Sequence, residues 1–286
     1  MSRSTRSARR RLIDALRYHA FGLTAAFLFL APLAWSVLVS FKPSAEARLP
    51  PLPPWPVDGF STQSYDNLAA FGAGLWTYAG NSLTVSAATV VASVVISLLA
   101  GYGFSRFNFP LKNFLFVLII ATVMIPFQSI LTPLFLILTK LGLQNTLTGI
   151  VLVYVTLQMP FSIFMMRNAF DAVPKEIEDA ARVDGASVVV VLYRVMLPLV
   201  LPGVATVAIF AFLASWNEFL AALILLTDQK KYTLPVLMSA VRSGQFGSVD
   251  WGAVQSGVTL MMAPCLVLFL LLQRYYIRGL TAGAVK

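Results

Sequence analysis

The chain has 286 residues, of which 58% are hydrophobic and 12% charged, with a formal net charge of +9. A soluble domain carries about a quarter charged residues, so this composition excludes an ordinary water-soluble globule and points to a protein that faces lipid. The basic surplus lies in short segments flanking apolar runs, which is the signature of membrane topology and not of a nucleic-acid-binding face.

A hydrocarbon core of roughly 30 Å needs about 20 apolar residues in helical form. In chain order, the apolar runs predict spans over 20–41, 81–104, 113–138, 146–167, 199–225 and 253–273, an all-α integral membrane protein with six transmembrane helices. The first run follows an Arg-rich segment and precedes Ala45-Glu46-Ala47, which mimics a signal-peptide cleavage site. It exceeds the 7–15 residues or so of a signal core, so it is read as a retained helix. The third run is interrupted by Pro126 and Pro133, which predicts a kink or a short interfacial helix there.

With a cytoplasmic N-terminus, only Lys42, Arg48, Lys140, Lys230, Lys231 and Arg242 fall outside and the remaining Lys and Arg fall inside. That bias places both termini in the cytoplasm. Outside lie a first loop of about 42–80, carrying the stiff Pro-rich stretch Leu49 to Pro56, and a second of about 226–252 with Gly244 and Gly247. The chain then divides into a basic tail, 1–19, a spanning domain, 20–278, and a short cytoplasmic tail, 279–286. The tail Arg residues anchor topology against anionic lipid. Cys265 lies alone in an apolar run and reads as a small packing side chain.

The one sizeable inside loop, about 168–198, holds the charged stretch PKEIEDAARVDGAS, Pro174 to Ser187. Pro174 suits the first turn of a helix, and Glu176, Glu178 and Asp179 fall near its positive end. Gly185 supplies the left-handed residue that closes it, and Ser187 caps a second helix. Pro198 and Pro202 mark an elbow before the next span. Ile177, Ala180, Ala181 and Asp184 recur at helical spacing and form a small, nearly flat face that a partner can approach. A solvated linker helix accounts for these physical features equally well.

The stretch EDAARVDGAS followed by VMLPLVLPG resembles the cytoplasmic loop signature of the membrane subunits of ABC importers. Counting back from Gly185, the signature's Glu falls on Asp179, with Glu178 beside it, and its two alanines on Ala180 and Ala181. Leu197 and Pro198 match its end, and Asp184, directly before Gly185, is grouped with these residues as ATPase-coupling by the resemblance. NSLTVSAATV, AGYGFSRFNFP, IPFQSILTPLFLIL, WNEFLAALILLTD and YYIRGLTAGAVK are similar to the carbohydrate-uptake class, in the manner of a maltose-type second permease. The resemblance implies the type I importer permease fold of a bacterial inner-membrane protein, with a coupling helix seated in a cytosolic ATPase. It implies a homologous second permease, two ATPase copies that hold the ATP and Mg, and an extracytoplasmic solute-binding protein. No cofactor is expected in this chain.

Among intramembrane polar residues, Glu218 stands out beside Asn217, because a carboxylate at that depth costs about 2.5–3.5 kcal/mol and faces protein or water. It lines a solute path, fixes a helix contact, or is solvated near the outer interface. Tyr154 and Gln158 share a face of the fourth span, and Gln128 sits among the prolines of the third. These suit a sugar's hydroxyls and C–H patches, but also serve as glue between helices. A catalytic reading has little to draw on, since His19 is the only histidine and no GxxxxGK[ST] occurs. An ion-coupled carrier is the remaining transport alternative and leaves the loop signature unexplained.

Overall fold

The computed structural model describes residues 3–43, 45–47, 52–245 and 249–282, with side chains described outside 3–13, 272 and 274–282. Every regular element among them is helical. Among the described residues five helices are long and apolar enough to cross a membrane: Asp14–Ser40 within α1 (Arg3–Ser40), α3 (Leu75–Arg106), α6 (Leu147–Asp171), the run Val188–Trp216, and Trp251–Leu271 within α12 (Trp251–Ala282). A sixth crossing requires Lys112–Met124 and Phe127–Lys140 to be taken as one span, and these are bent by 103°.

That bend locates the interruption expected in the third span. The first limb is α4 (Lys112–Ala121) with a short 3-10 turn, and the second is α5 (Phe127–Lys140). At about 1.5 Å per residue, neither limb alone reaches across a roughly 30 Å core. Ile125 is extended, at φ −78° and ψ 120°, as the ring of a following proline demands. Pro126 then caps α5, whereas Pro133 is absorbed within it.

Two expectations need correction. Helix is not interrupted at Pro198 and Pro202: α8 (Val188–Val190), a π-helical turn Val191–Met196 and α9 (Leu197–Trp216) form one continuous helix. The Leu197 N–H bonds to the Leu192 carbonyl, and this wider turn accommodates the prolines that follow. The span ends at Trp216 and not near 225, because the chain breaks before α10 (Leu220–Leu225). The outer segments also carry helices, α2 (Gln63–Ala70) in the first and α11 (Leu234–Arg242) in the second. Of the Pro-rich stretch, residues 49–51 lie outside the described residues, as does Gly247.

The chain forms two compact units, Met1–Phe71 with Val241–Met261, and Gly72–Ala240 with Met262–Lys286. In the first, the Asn67 amide donates to Asp250 Oδ2 at 2.7 Å, while Asp250 Oδ1 accepts the Ala253 N–H at 2.9 Å and so caps α12. The Ser40 and Tyr65 hydroxyls pair at 2.8 Å.

The second unit packs α3, α6 and α9 together. Ser82, Ser86, Thr89, Ser93 and Ser97 recur at helical spacing on α3 and are all buried. Such small side chains let helices approach closely in lipid. A Cβ at Gly101 of α3 would lie 2.6 Å from Met166 Cβ and 2.9 Å from the Arg167 N of α6. A Cβ at Gly203 of α9 would lie 2.6 Å from Ala169 Cβ. Below this contact Leu98, Tyr102, Met166, Phe170, Val191 and Met196 form a buried cluster on which the charged loop rests.

Candidate functional site

The charged stretch folds as α7 (Lys175–Val183). Pro174 stands one position earlier than expected, as the N-cap with ψ 137°, and ends the extended approach to the helix. Gly185 closes it at φ +84°. Its N–H bonds to the Arg182 carbonyl at 3.0 Å and the Ala186 N–H to the Ala181 carbonyl at 3.0 Å. This pair is the Schellman arrangement, which satisfies two last-turn carbonyls and needs a left-handed residue. Ser187 caps α8, its hydroxyl accepting the Val190 N–H at 3.5 Å.

Glu178 points inward and is buried. Its Oε1 accepts the Tyr102 hydroxyl at 2.7 Å and Arg182 Nη2 at 2.6 Å. Its Oε2 pairs as an ion with Arg106 Nε at 3.1 Å, without an aligned hydrogen bond. Arg106 in turn donates through Nη2 to the carbonyls of Phe170 and Val173, at 2.8 and 2.7 Å, and so supplies a cation to the C-terminal end of α6. Ser105 Oγ donates to Asp171 Oδ1 at 2.5 Å beside it. One carboxylate thus ties α7 to the ends of both α3 and α6.

The face read from the sequence is divided by this anchoring. Ala181 turns partly inward and packs on the buried cluster, whereas Glu176, Asp179, Ala180, Val183, Asp184 and Gly185 are exposed. Val183, an apolar side chain, is 88% exposed. Leu197 packs partly on the same cluster and Pro198 is exposed. Arg106 and Tyr102 are the residues sequence reasoning missed. Their signal was a cation closing an apolar run, with an aromatic one helical turn before it.

The intramembrane residues gather only in part. Tyr154 donates its hydroxyl to Glu218 Oε2 at 2.5 Å. The Glu218 carboxylate also accepts the Ala221 and Ala222 N–H groups, at 2.9 and 3.2 Å, and thereby caps α10 at its positive end. Tyr154, Gln158 and Glu218 line a cavity of about 90 Å³ with Thr89 and Ser215, two hydroxyls the sequence reading did not single out. Gln128 is exposed on the first turn of α5 and Asn217 is exposed with its amide on the Leu213 carbonyl at 2.9 Å. Neither lines this cavity. At about 30 Å³ per water, the cavity holds roughly three waters, well below the roughly 300 Å³ at which small-molecule pockets begin.

Residues 93–282 match the family described as binding-protein-dependent transport system inner membrane component. The arabinooligosaccharides transport system permease protein AraQ of Halalkalibacterium halodurans is 36% identical over 272 residues, spanning 92% of this chain and 95% of the relative. The trehalose/maltose transport system permease protein MalG of Thermococcus litoralis is 32% identical over 263 residues, spanning 91% and 93%. A crystal structure of a bacterial ABC transporter involved in the import of the acidic polysaccharide alginate shares the fold, with a TM-score of 0.77 at 23% identity, over 96% of this chain and 99% of that one. The chain belongs to the binding-protein-dependent inner membrane components: it is a multi-pass permease subunit of an ABC importer, a transport protein that works with other components of such a system.

Proposed function

We propose that this permease subunit forms half of the path for a sugar or related polyol, and that α7 carries the stroke of cytosolic ATPases to its spans. The observation that carries this reading is the two-sided character of α7. Its inner side is held by Glu178 to Tyr102 of α3 and to Arg106, which closes α6. Its outer side leaves Asp179, Ala180 and Val183 uncovered. A push on that outer side moves the cytoplasmic ends of α3 and α6, because the buried pair leaves little slack between them. Small rotations of two permeases about their interface then alternate access to the path.

The solute reading rests on the relatives. AraQ is named for arabinooligosaccharides and MalG for trehalose and maltose. The small cavity beside Tyr154, Gln158 and Glu218 supports a path completed by a second, homologous permease that supplies the facing wall. Two ATPase copies hold the ATP and Mg, and an extracytoplasmic solute-binding protein delivers the sugar. Both termini and α7 lie in the cytoplasm, following the distribution of Lys and Arg.

The test is uptake by proteoliposomes that contain this chain with its co-purified subunits and the binding protein. A panel of labelled di- and oligosaccharides is offered outside, with ATP at the face of the ATPases. Accumulation of one sugar that needs ATP is the expected result. Uptake that follows an ion gradient and ignores ATP would overturn the reading.

A further inference from the structure

We propose that the groove between the loop joining α3 to α4, the first turn of α4 and Arg167 of α6 binds the phosphate of an anionic phospholipid headgroup. The groove measures about 510 Å³ and is lined by Asn108, Leu111, Lys112, Asn113, Phe114 and Arg167 among others. Both cations are held in place. Lys112 Nζ donates to the Phe107 carbonyl at 2.9 Å and lies 3.5 Å from the Ser105 carbonyl, so the ammonium is fixed with a third donor to spare. Among the described residues no carboxylate pairs with Lys112. The Arg167 guanidinium lies 4.0 Å over the Phe116 ring, and its Nε pairs with Asp171 at 3.5 Å. Two fixed cations and two side-chain amides around one concavity suit a phosphodiester, which offers a single negative charge and several acceptors.

The same element argues for a lipid over a free phosphate. α4 starts at the groove and has no buried residue along its length. Leu111 and Phe114 are 69% and 62% exposed at the groove's rim, and Val117 and Leu118 continue the exposed apolar surface. A lipid with its headgroup in the groove would lay its acyl chains along α4. Inorganic phosphate would fill only a fraction of the space and make no use of that surface. The first turn of α4 adds to the attraction, since no side chain caps it and it contains no acidic residue. With the orientation proposed above, the headgroup lies in the cytoplasmic leaflet; the binding itself does not depend on that orientation.

The experiment is native mass spectrometry of the full chain in mild detergent, titrated separately with phosphatidylglycerol, phosphatidylcholine and inorganic phosphate. The expected result is preferential retention of phosphatidylglycerol, reduced about fivefold for each cation removed in Lys112→Gln and Arg167→Gln. Lys112→Arg should keep the preference, and Arg194→Gln, which removes an exposed cation away from the groove, should leave it unchanged. Equal retention of both lipids, or a preference that survives the double Lys112→Gln, Arg167→Gln change, overturns the proposal. Inorganic phosphate that competes phosphatidylglycerol away at equal concentration overturns the lipid assignment. Failure here leaves ATP-driven uptake untouched, and failure of uptake leaves this binding untouched.

Discussion

Arg106 and Glu178 meet 3.1 Å apart, each with its side chain 4% exposed, and join the last residue of α3 to the middle of α7. The two positions are far apart in sequence, and the contact fixes a surface helix to two spans. Removing one member of a buried pair leaves the other charge uncompensated, which costs about 3–5 kcal/mol. Arg106 keeps its two carbonyl partners, so Glu178→Gln is expected near the lower end of that range. The check is a detergent thermal-shift comparison with Arg182→Gln. Arg182 is 44% exposed, and its loss is expected to lower stability far less. Equal losses would place the anchor elsewhere.

Gly185 isolates backbone conformation from packing. At φ +84°, a Cβ added there would meet nothing within 4 Å. Within this chain Gly185→Val therefore acts through the left-handed conformation, at roughly 1–2 kcal/mol or more for a β-branched residue. ATP-driven uptake by Gly185→Val should fall sharply, while Gly185→Asn, which tolerates this region, keeps most of it. Normal uptake by the valine variant would remove the Schellman turn from the coupling route.

Gly101 and Gly203 measure how closely the spans approach. An added methyl at Gly101 would strike both side chain and backbone of α6, so Gly101→Ala should cost about 1–3 kcal/mol through overpacking. At Gly203 the obstruction is the Ala169 methyl. The double change Gly203→Ala, Ala169→Gly should accordingly recover part of the loss, as read from thermal unfolding in detergent.

Glu218 holds α10 through two backbone N–H groups as well as Tyr154. Tyr154→Phe removes one hydrogen bond and leaves the cap, whereas Glu218→Ala removes both. Loss of an N-cap typically costs about 1 kcal/mol, so Glu218→Ala should destabilise more than Tyr154→Phe. A sugar-binding role would show differently, as a raised transport KM for Tyr154→Phe at unchanged thermal stability.

Outside the spans, Glu46 accepts the N–H groups of Val57 and Asp58 at 3.0 and 2.8 Å. The Val57 hydrogen bond first, then that of Asp58, holds its carboxyl below the usual carboxylate value of 4.5. A depressed folded pKa stabilises above the unfolded value and is lost as pH falls through the folded one. Protection of the Val57 and Asp58 amides, measured against their intrinsic exchange rates, should hold from neutral pH down through 4.5 and fall at lower pH. In Glu46→Gln the pH step should disappear.

Punctuation in the sequence exposed much of this arrangement. Proline, glycine and serine act on their own backbone, so Gly185 and Ser187 marked the ends of α7 and α8, and Pro126 marked the bend. Other features depend on contacts between distant residues. Sequence alone sets Glu178 beside Asp179 in the signature, because nothing local distinguishes them; Arg106 and Tyr102 do. The break at residues 217–219 contains neither glycine nor proline, and hydropathy therefore ran on to 225. The partner for the breaking residue, Tyr154, lies on another helix.

If the uncovered side of α7 seats an ATPase, affinity purification of the tagged chain from its native membranes in mild detergent, with mass spectrometry of its companions, should recover the complex. An ATP-binding subunit and a second permease are expected with the unaltered chain. The ATP-binding subunit should be lost, with the second permease retained, when Ala180→Arg puts bulk on the exposed side. Recovery of the chain alone, or an ATP-binding subunit that stays bound to Ala180→Arg, would contradict this seating of the ATPase.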